Sequence, residues 1–295
     1  MGAATLHRKK FLQLHRMCAF CGGGSAATTI EHCPPRAMFQ HRQWPEGFEF
    51  PACEACNGGS SDDDLLVAML ARMDPFNNRG NLDGSHFGLM QRVNKQFPGL
   101  FAKMVPTPTE ARTANRNLGV VPSAGQTHQQ AGAVKVPEEL HSAVCVFARK
   151  LVKGVYYQNA GIPFPNDGCL LLNWFSNAEL LREGRYPVFD LLRELDGNAP
   201  QLKRSGKMLN DQFEFKFSIS PDKKILILQA RFGAAFGLAV FGSTEPNMLE
   251  RIVTRLREET GHAGPFAILQ SNTLQHDPRV KDAVDHRFAR ELRKC

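Results

Sequence analysis

Apolar and polar positions change their spacing several times along the 295-residue chain. Leu6, Phe11 and Leu14 stand among Arg8, Lys9, Lys10, His15 and Arg16, which predicts a short basic helix over 5–17. Thr28-Thr29-Ile30 is β-branched and is stopped by Pro34-Pro35, so a short strand should end at Glu31-His32. Ser60 or Ser61 reads as a helix N-cap, with Asp62-Asp63-Asp64 as its first turn and Leu65 to Leu70 as its body. Phe87, Leu89, Met90, Val93, Phe97, Leu100, Phe101 and Met104 predict a second helix, or a pair broken at Pro98.

Residues 105–136 change character, with Pro106, Pro108, Gly119, Pro122, Gly125 and Gly132 among many small polar residues, and read as a linker or irregular segment. Beyond it, Pro137-Glu138-Glu139 opens a helix to about Asn159, with Val144, Phe147, Leu151 and Val155 on one face. Gly168 to Phe175 is a strand candidate and Pro187 to Leu195 a short helix. Phe213, Phe215, Phe217 and Ile219 alternate with polar residues, the period of a half-buried strand. Asp222-Lys223 turns this into a hairpin with 224–230. A small-residue strand over 234–241, a helix over 246–259 and a last strand over 266–270 complete the pattern. The fold class expected is α+β with a mainly antiparallel sheet, in a first domain over 1–104 and a second over 137–295.

Composition narrows the class. Hydrophobic residues are 42% and charged residues 22%, enough for a packed core. The apolar runs are far too short to span a membrane, and no apolar segment follows Arg8-Lys9-Lys10 to make a secretory signal. A cytoplasmic protein is therefore expected, in which eight cysteines argue for metal or free thiols before disulfides. The formal charge is +7, yet residues 1–104 carry only 11 Lys and Arg against 9 Asp and Glu. The first domain is thus not a strongly basic clamp. The second has no motif that fixes its role; target choice, regulation, a protein partner or a homodimer contact all suit it.

Five of the eight cysteines fall in the first 56 residues. Cys18-x2-Cys21 and Cys53-x2-Cys56 have the spacing of a four-cysteine structural Zn2+ site. Glycines follow each second cysteine, at Gly22-Gly23-Gly24 and Gly58-Gly59, where the chain turns past the metal with positive φ. Two redox pairs are the weaker alternative, since neither sits between a strand and a helix.

The segment between the pairs carries Glu31-His32-Cys33-Pro34-Pro35-Arg36, and Asn57 follows Cys56. In these residues the chain resembles the HNH nuclease family, whose ββα-metal fold carries such a zinc; the likeness covers roughly residues 10–75. The resemblance implies a zinc-stapled ββα-metal module that hydrolyses phosphodiester bonds in DNA or RNA, in relatives that often serve bacterial or phage defence. It assigns His32 as general base, and Glu31 and Asn57 as ligands of a divalent Mg2+ or Mn2+ ion. The residue types suit that chemistry: His titrates near neutrality, and a hard-oxygen pair leaves a cation open to phosphate. Asp62 is an extra ligand candidate, although three aspartates at a helix start need no ligand role. Arg36 is a candidate phosphate contact, and Cys33 reads as packing. The family's middle Asn has no counterpart between Cys33 and Cys56; Gln40, His41 or a backbone carbonyl could hold the imidazole instead. The alternative is a catalytically inactive zinc-stapled nucleic-acid-binding or scaffold protein.

Overall fold

The computed structural model describes residues 3–73, 84–117, 119–131, 134–176, 199–245, 247–248, 254 and 267–270. The basic N-terminal run forms helix α1 (Ala3–Leu14). Strands β1 (Thr29–His32) and β2 (Glu49–Ala52) pair antiparallel, with 3-10 turns at Arg36–Met38 and Gln40–Arg42 between them. The second cysteine pair opens helix α2 (Glu54–Gly58), and α3 (Ser61–Ala71) follows at once. The apolar run around Pro98 is a pair of helices, α4 (Ser85–Gln96) and α5 (Leu100–Met104), and Gly99 at φ 82° makes the left-handed link between them.

The stretch read as linker or irregular contains helix α6 (Pro108–Asn117) and a 3-10 turn at His128–Ala131. A reciprocal cap makes the helix. The Glu110 carboxylate accepts the Thr107 N–H at 2.7 Å, and the Glu110 N–H donates to Thr107 Oγ1 at 3.3 Å. Ala111 and Asn115 are buried, so this polar stretch still has an inner face.

Pro137 caps the 23-residue helix α7 (Glu138–Ala160), which Gly161 ends at φ 75°. Strand β3 (Cys169–Ser176) follows, then a minimal hairpin of β4 (Lys203–Arg204) and β5 (Lys207–Met208). The remaining strands are β6 (Glu214–Ile219), β7 (Ile225–Phe232), β8 (Phe236–Ser243) and β9 (Ala267–Gln270). The larger sheet runs in the order β6-β7-β8-β3-β9, with every pairing antiparallel. The fold is thus α+β with antiparallel sheets, and the four-cysteine cluster lies at its N-terminal end. The helix expected over 187–195 and most of that over 246–259 lie outside the described residues.

A single hydrophobic cluster reaches from Cys18 through α3 and α7 to Val240 in β8. Its seam is aromatic. Phe48 meets Phe213 at 5.4 Å and Phe215 at 5.5 Å edge to face, and Phe213 stacks on Phe232 at 4.9 Å. Such pairs each contribute roughly 0.5–1.5 kcal/mol beyond their burial. The aromatic strand thus serves the core, as its alternation implies. Helix α7 joins the two halves of the core, packing on α3 and on the sheet, where Phe147 lies 5.3 Å from Phe232. It comes so close to β2 that a Cβ on Gly154 would sit 2.9 Å from Phe50 Cζ. Among the described residues no helix is long and apolar enough to cross a membrane.

Candidate functional site

The ligand atoms of Cys18, Cys21, Cys53 and Cys56 all lie within 4.8 Å of one another. Four sulfurs around one zinc would be roughly 3.8 Å apart, so the cluster fits a tetrahedral ion with little adjustment. The thiols cannot lose their protons independently. Cys18 falls to about 4, chiefly through its hydrogen bond with Cys56, while the same contact pushes Cys56 up and burial pushes Cys21 up. A dication would remove that conflict.

The first knuckle turns as its glycines imply, with Gly22 at φ 63° and Gly23 at φ 78°. The second does not. It enters α2 directly, and Gly59 is right-handed at φ −70°. Gly59 is required by space, because a Cβ there would meet the Ala55 carbonyl oxygen at 2.6 Å. From α7, Lys153 Nζ reaches into the first knuckle and donates to the Phe20 carbonyl at 2.6 Å. Burial, then Arg149, lowers that ammonium to about 8.

Successive residues of β1 face opposite ways, which separates Glu31 from His32. Glu31 points inward and is 5% exposed. Its Oε1 accepts from Lys150 Nζ at 2.7 Å, and Lys150 also reaches Ser60 Oγ at 2.7 Å and Asp64 Oδ2 at 2.9 Å. Burial pushes Glu31 up to about 7 against the pull of Lys150. Lys150 itself stays protonated, raised by Asp64 and Glu31 against its burial. Ser60 precedes α3 without capping it, because its hydroxyl serves Lys150 and Asp64. Asn57 donates its amide to Thr29 Oγ1 at 2.8 Å, on the strand face shared with Glu31.

As placed, Glu31 and Asn57 do not fit a divalent ion. An ammonium already holds the Glu31 oxygen, and Asn57 presents its nitrogen to the strand. Asp62 is exposed and accepts from Gln96, while Asp64 is the aspartate that faces Glu31 through Lys150. Among the described residues, the four cysteines are the one group of three or more Cys, His, Asp or Glu placed to share an ion.

His32 faces the other way. Its ring packs edge-on against Trp44, with centroids 4.7 Å apart. Its Nε2 is 3.6 Å from Oε1 of Glu49, its partner across the hairpin. That is too long for a hydrogen bond but close enough to steady a developing imidazolium. Burial, then Arg36, Arg204 and Arg42, lowers the imidazole to about 4. The ring is therefore neutral at pH 7 and can accept a proton. Arg36 lies over the Trp44 ring at 4.9 Å, as does Arg204 at 3.6 Å.

Sequence reading missed Glu49, Trp44, Arg204 and Lys150. Glu49 was open to discovery, since a hairpin between Thr28–His32 and the apolar run Phe48–Ala52 brings it opposite His32. Lys150 and Arg204 arrive from 119 and 172 residues away, and no local spacing signals them. Compared with family models, curated proteins and solved structures, the chain matches none.

Proposed function

We propose that the chain is an HNH-type endonuclease that hydrolyses phosphodiester bonds in nucleic acid, DNA foremost, with His32 as general base. One observation carries the reading: His32 ends strand β1, whose other end pairs with the residue before Cys53 of the four-cysteine cluster, and Arg36, Arg42 and Arg204 surround its imidazole. Such surroundings favour an anion against the imidazole. A water between His32 and the phosphorus gives its proton to the free imidazole nitrogen as its oxygen attacks. The phosphorus bond to the leaving oxygen breaks, and that oxygen takes a proton from solvent. Glu49 opposes the positive charge that forms on His32. Binding of the phosphate offsets part of the arginine charge that depresses the imidazole, so the base strengthens as substrate arrives. A Mg2+ or Mn2+ ion at Glu31 would compete with the Lys150 ammonium, which holds Oε1.

Nicking of supercoiled plasmid by wild type and His32→Ala, with Mg2+, with Mn2+ and with chelator, tests this. The variant should lose about 100-fold or more of the wild-type rate. Equal nicking by the two proteins, or none by wild type in any condition, would refute it.

A second reading is a zinc-stapled nucleic-acid-binding protein without catalysis. It is favoured by the Lys150 ammonium on Glu31 and by the engagement of Asn57 with Thr29. Calorimetric titration of Mn2+ into zinc-loaded protein separates the two. A further binding event that vanishes in Glu31→Gln and Asn57→Ala belongs to a nuclease; DNA binding with neither that event nor nicking belongs to the binding protein.

A further inference from the structure

The β4–β5 hairpin lies far along the chain from His32 but is docked beside it. The Glu46 N–H donates to the Lys203 carbonyl at 3.0 Å, and the Ser205 N–H donates to Glu46 Oε1 at 3.0 Å. These two bonds bring Arg204 over Trp44, where Arg36 also rests. Two guanidiniums on one indole repel each other, and the ring's electron-rich surface offsets part of that cost. Arg42 adds a third cation near the same imidazole. Among the described residues, none of Arg36, Arg42 and Arg204 has a carboxylate partner. The acids nearby are engaged otherwise: Glu46 holds the hairpin, and Glu49 faces His32 and His7.

Backbone conformation marks the same surface. Four non-glycine residues among those described have positive φ, and three of them, His41, Arg42 and Ser205, flank it. Such conformations cost energy and persist where the surroundings fix them. Lys203 and Lys207, both exposed, extend the positive charge along the hairpin.

We propose that Arg36 and Arg204, held on Trp44, together with Arg42 on the adjoining turn, form a guanidinium clamp for the phosphate backbone of a nucleic-acid strand at His32. The clamp rests on the reading of His32 as the base that meets a scissile phosphate. Planar guanidiniums suit phosphate because two N–H groups can meet two oxygens. Trp44 is committed to Arg36, Arg204 and His32, so it fixes those two arginines and does not stack a base. The clamp would recognise backbone and not sequence. It also gives the second half of the chain a share in the site, through Arg204.

The test is fluorescence anisotropy of a short labelled DNA duplex, without divalent ions, across salt from about 50 to about 200 mM. The proteins are wild type, Arg42→Ala, Arg204→Ala, Arg204→Lys, His32→Ala and the control Lys224→Ala, each checked for an unchanged thermal transition. Arg42→Ala and Arg204→Ala should each weaken binding several-fold and lower the slope of log Kd on log salt by about 1. Arg204→Lys should keep the slope and lose part of the affinity, and Lys224→Ala should bind as wild type. Slopes unchanged in both arginine variants overturn the clamp. Because Arg42 is exposed, its variant decides the matter even if Arg204→Ala loosens the hairpin. An acidic protein as the true partner would show as no salt-dependent DNA binding by wild type, which also overturns it. The two readings fail separately. Arginine-dependent binding without nicking leaves the clamp and removes the nuclease, whereas nicking that needs His32 but ignores the arginines does the reverse.

Discussion

Lys150 Nζ lies 2.7 Å from Glu31 Oε1, and both groups are buried. The pair joins α7 to the strand that carries His32, and Asp64 shares the same ammonium at 2.9 Å. Removing the lysine would leave two carboxylates inside the protein with no cation. Lys150→Met should therefore destabilise by about 3–5 kcal/mol, read by urea unfolding at pH 7. Adding Glu31→Gln and Asp64→Asn to that variant should recover much of the loss, because the uncompensated charges are then gone. A cost below about 1 kcal/mol for the single change would show that the network is not formed as described.

The four-cysteine cluster should bind one zinc per chain. Release on thiol modification, followed with a colorimetric chelator, should give one equivalent from wild type and far less from Cys56→Ser. Metal removal should also unfold the hairpin, since Cys18 hydrogen-bonds to Ser25 and Ala19 to Pro51 of β2. A chelator-treated protein with an unchanged near-ultraviolet spectrum would contradict this.

Glu49 faces His32 but holds no proton of it by a proper hydrogen bond. Glu49→Gln should lower the nicking rate while leaving DNA affinity near wild type. The loss should be smaller than the roughly 100-fold or greater loss expected of His32→Ala. A Glu49→Gln loss as large as that of the His32 variant would place the carboxylate in the proton transfer itself.

Gly154→Ala tests the packing of α7 on β2. Alanine normally favours a helix interior by about 1 kcal/mol over glycine. In α7 its methyl would meet Phe50 at 2.9 and 3.0 Å, and Phe20 and Phe48 hold that ring edge to face. The net effect should be a loss of about 1–3 kcal/mol. A gain in stability would mean that the ring yields.

Glu110 lies at the start of α6, where the Thr107 N–H, then Lys135, hold its carboxyl down to about 2. Its ordinary value is 4.5, so the cap favours folding above pH 4.5 and loses that effect as pH falls through about 2. Thermal melts of wild type and Glu110→Gln should differ at pH 7 and converge near pH 2. A constant gap across that range would rule out the carboxylate as the source.

Local patterns were legible where chemistry is local. The cysteine spacing marked the cluster, Pro98 split α4 from α5, and the alternation from Phe213 marked β6. Composition misled at 105–136, where a four-residue cap from Thr107 to Glu110 outweighs the surrounding Pro and Gly. The inward turn of Glu31 was not legible, because its partner comes from α7 and a strand pattern does not name the cation it buries. Asn57 was legible as a residue at the knuckle, but the hydroxyl of Thr29 that claims its amide was not.

The position of α7 bears on how the chain can be taken apart. Lys150, Lys153 and Gly154 belong to this helix, and they touch β1, the first knuckle and β2 respectively. A cut at residue 137, where the composition invites one, would strip the half that carries the four-cysteine cluster of its inner wall. What remained would carry an unpaired Glu31 and a bare face of α3. The smallest fragment worth expressing therefore extends past Gly161. Loss of activity on shorter truncation would report a broken core and not a missing regulator.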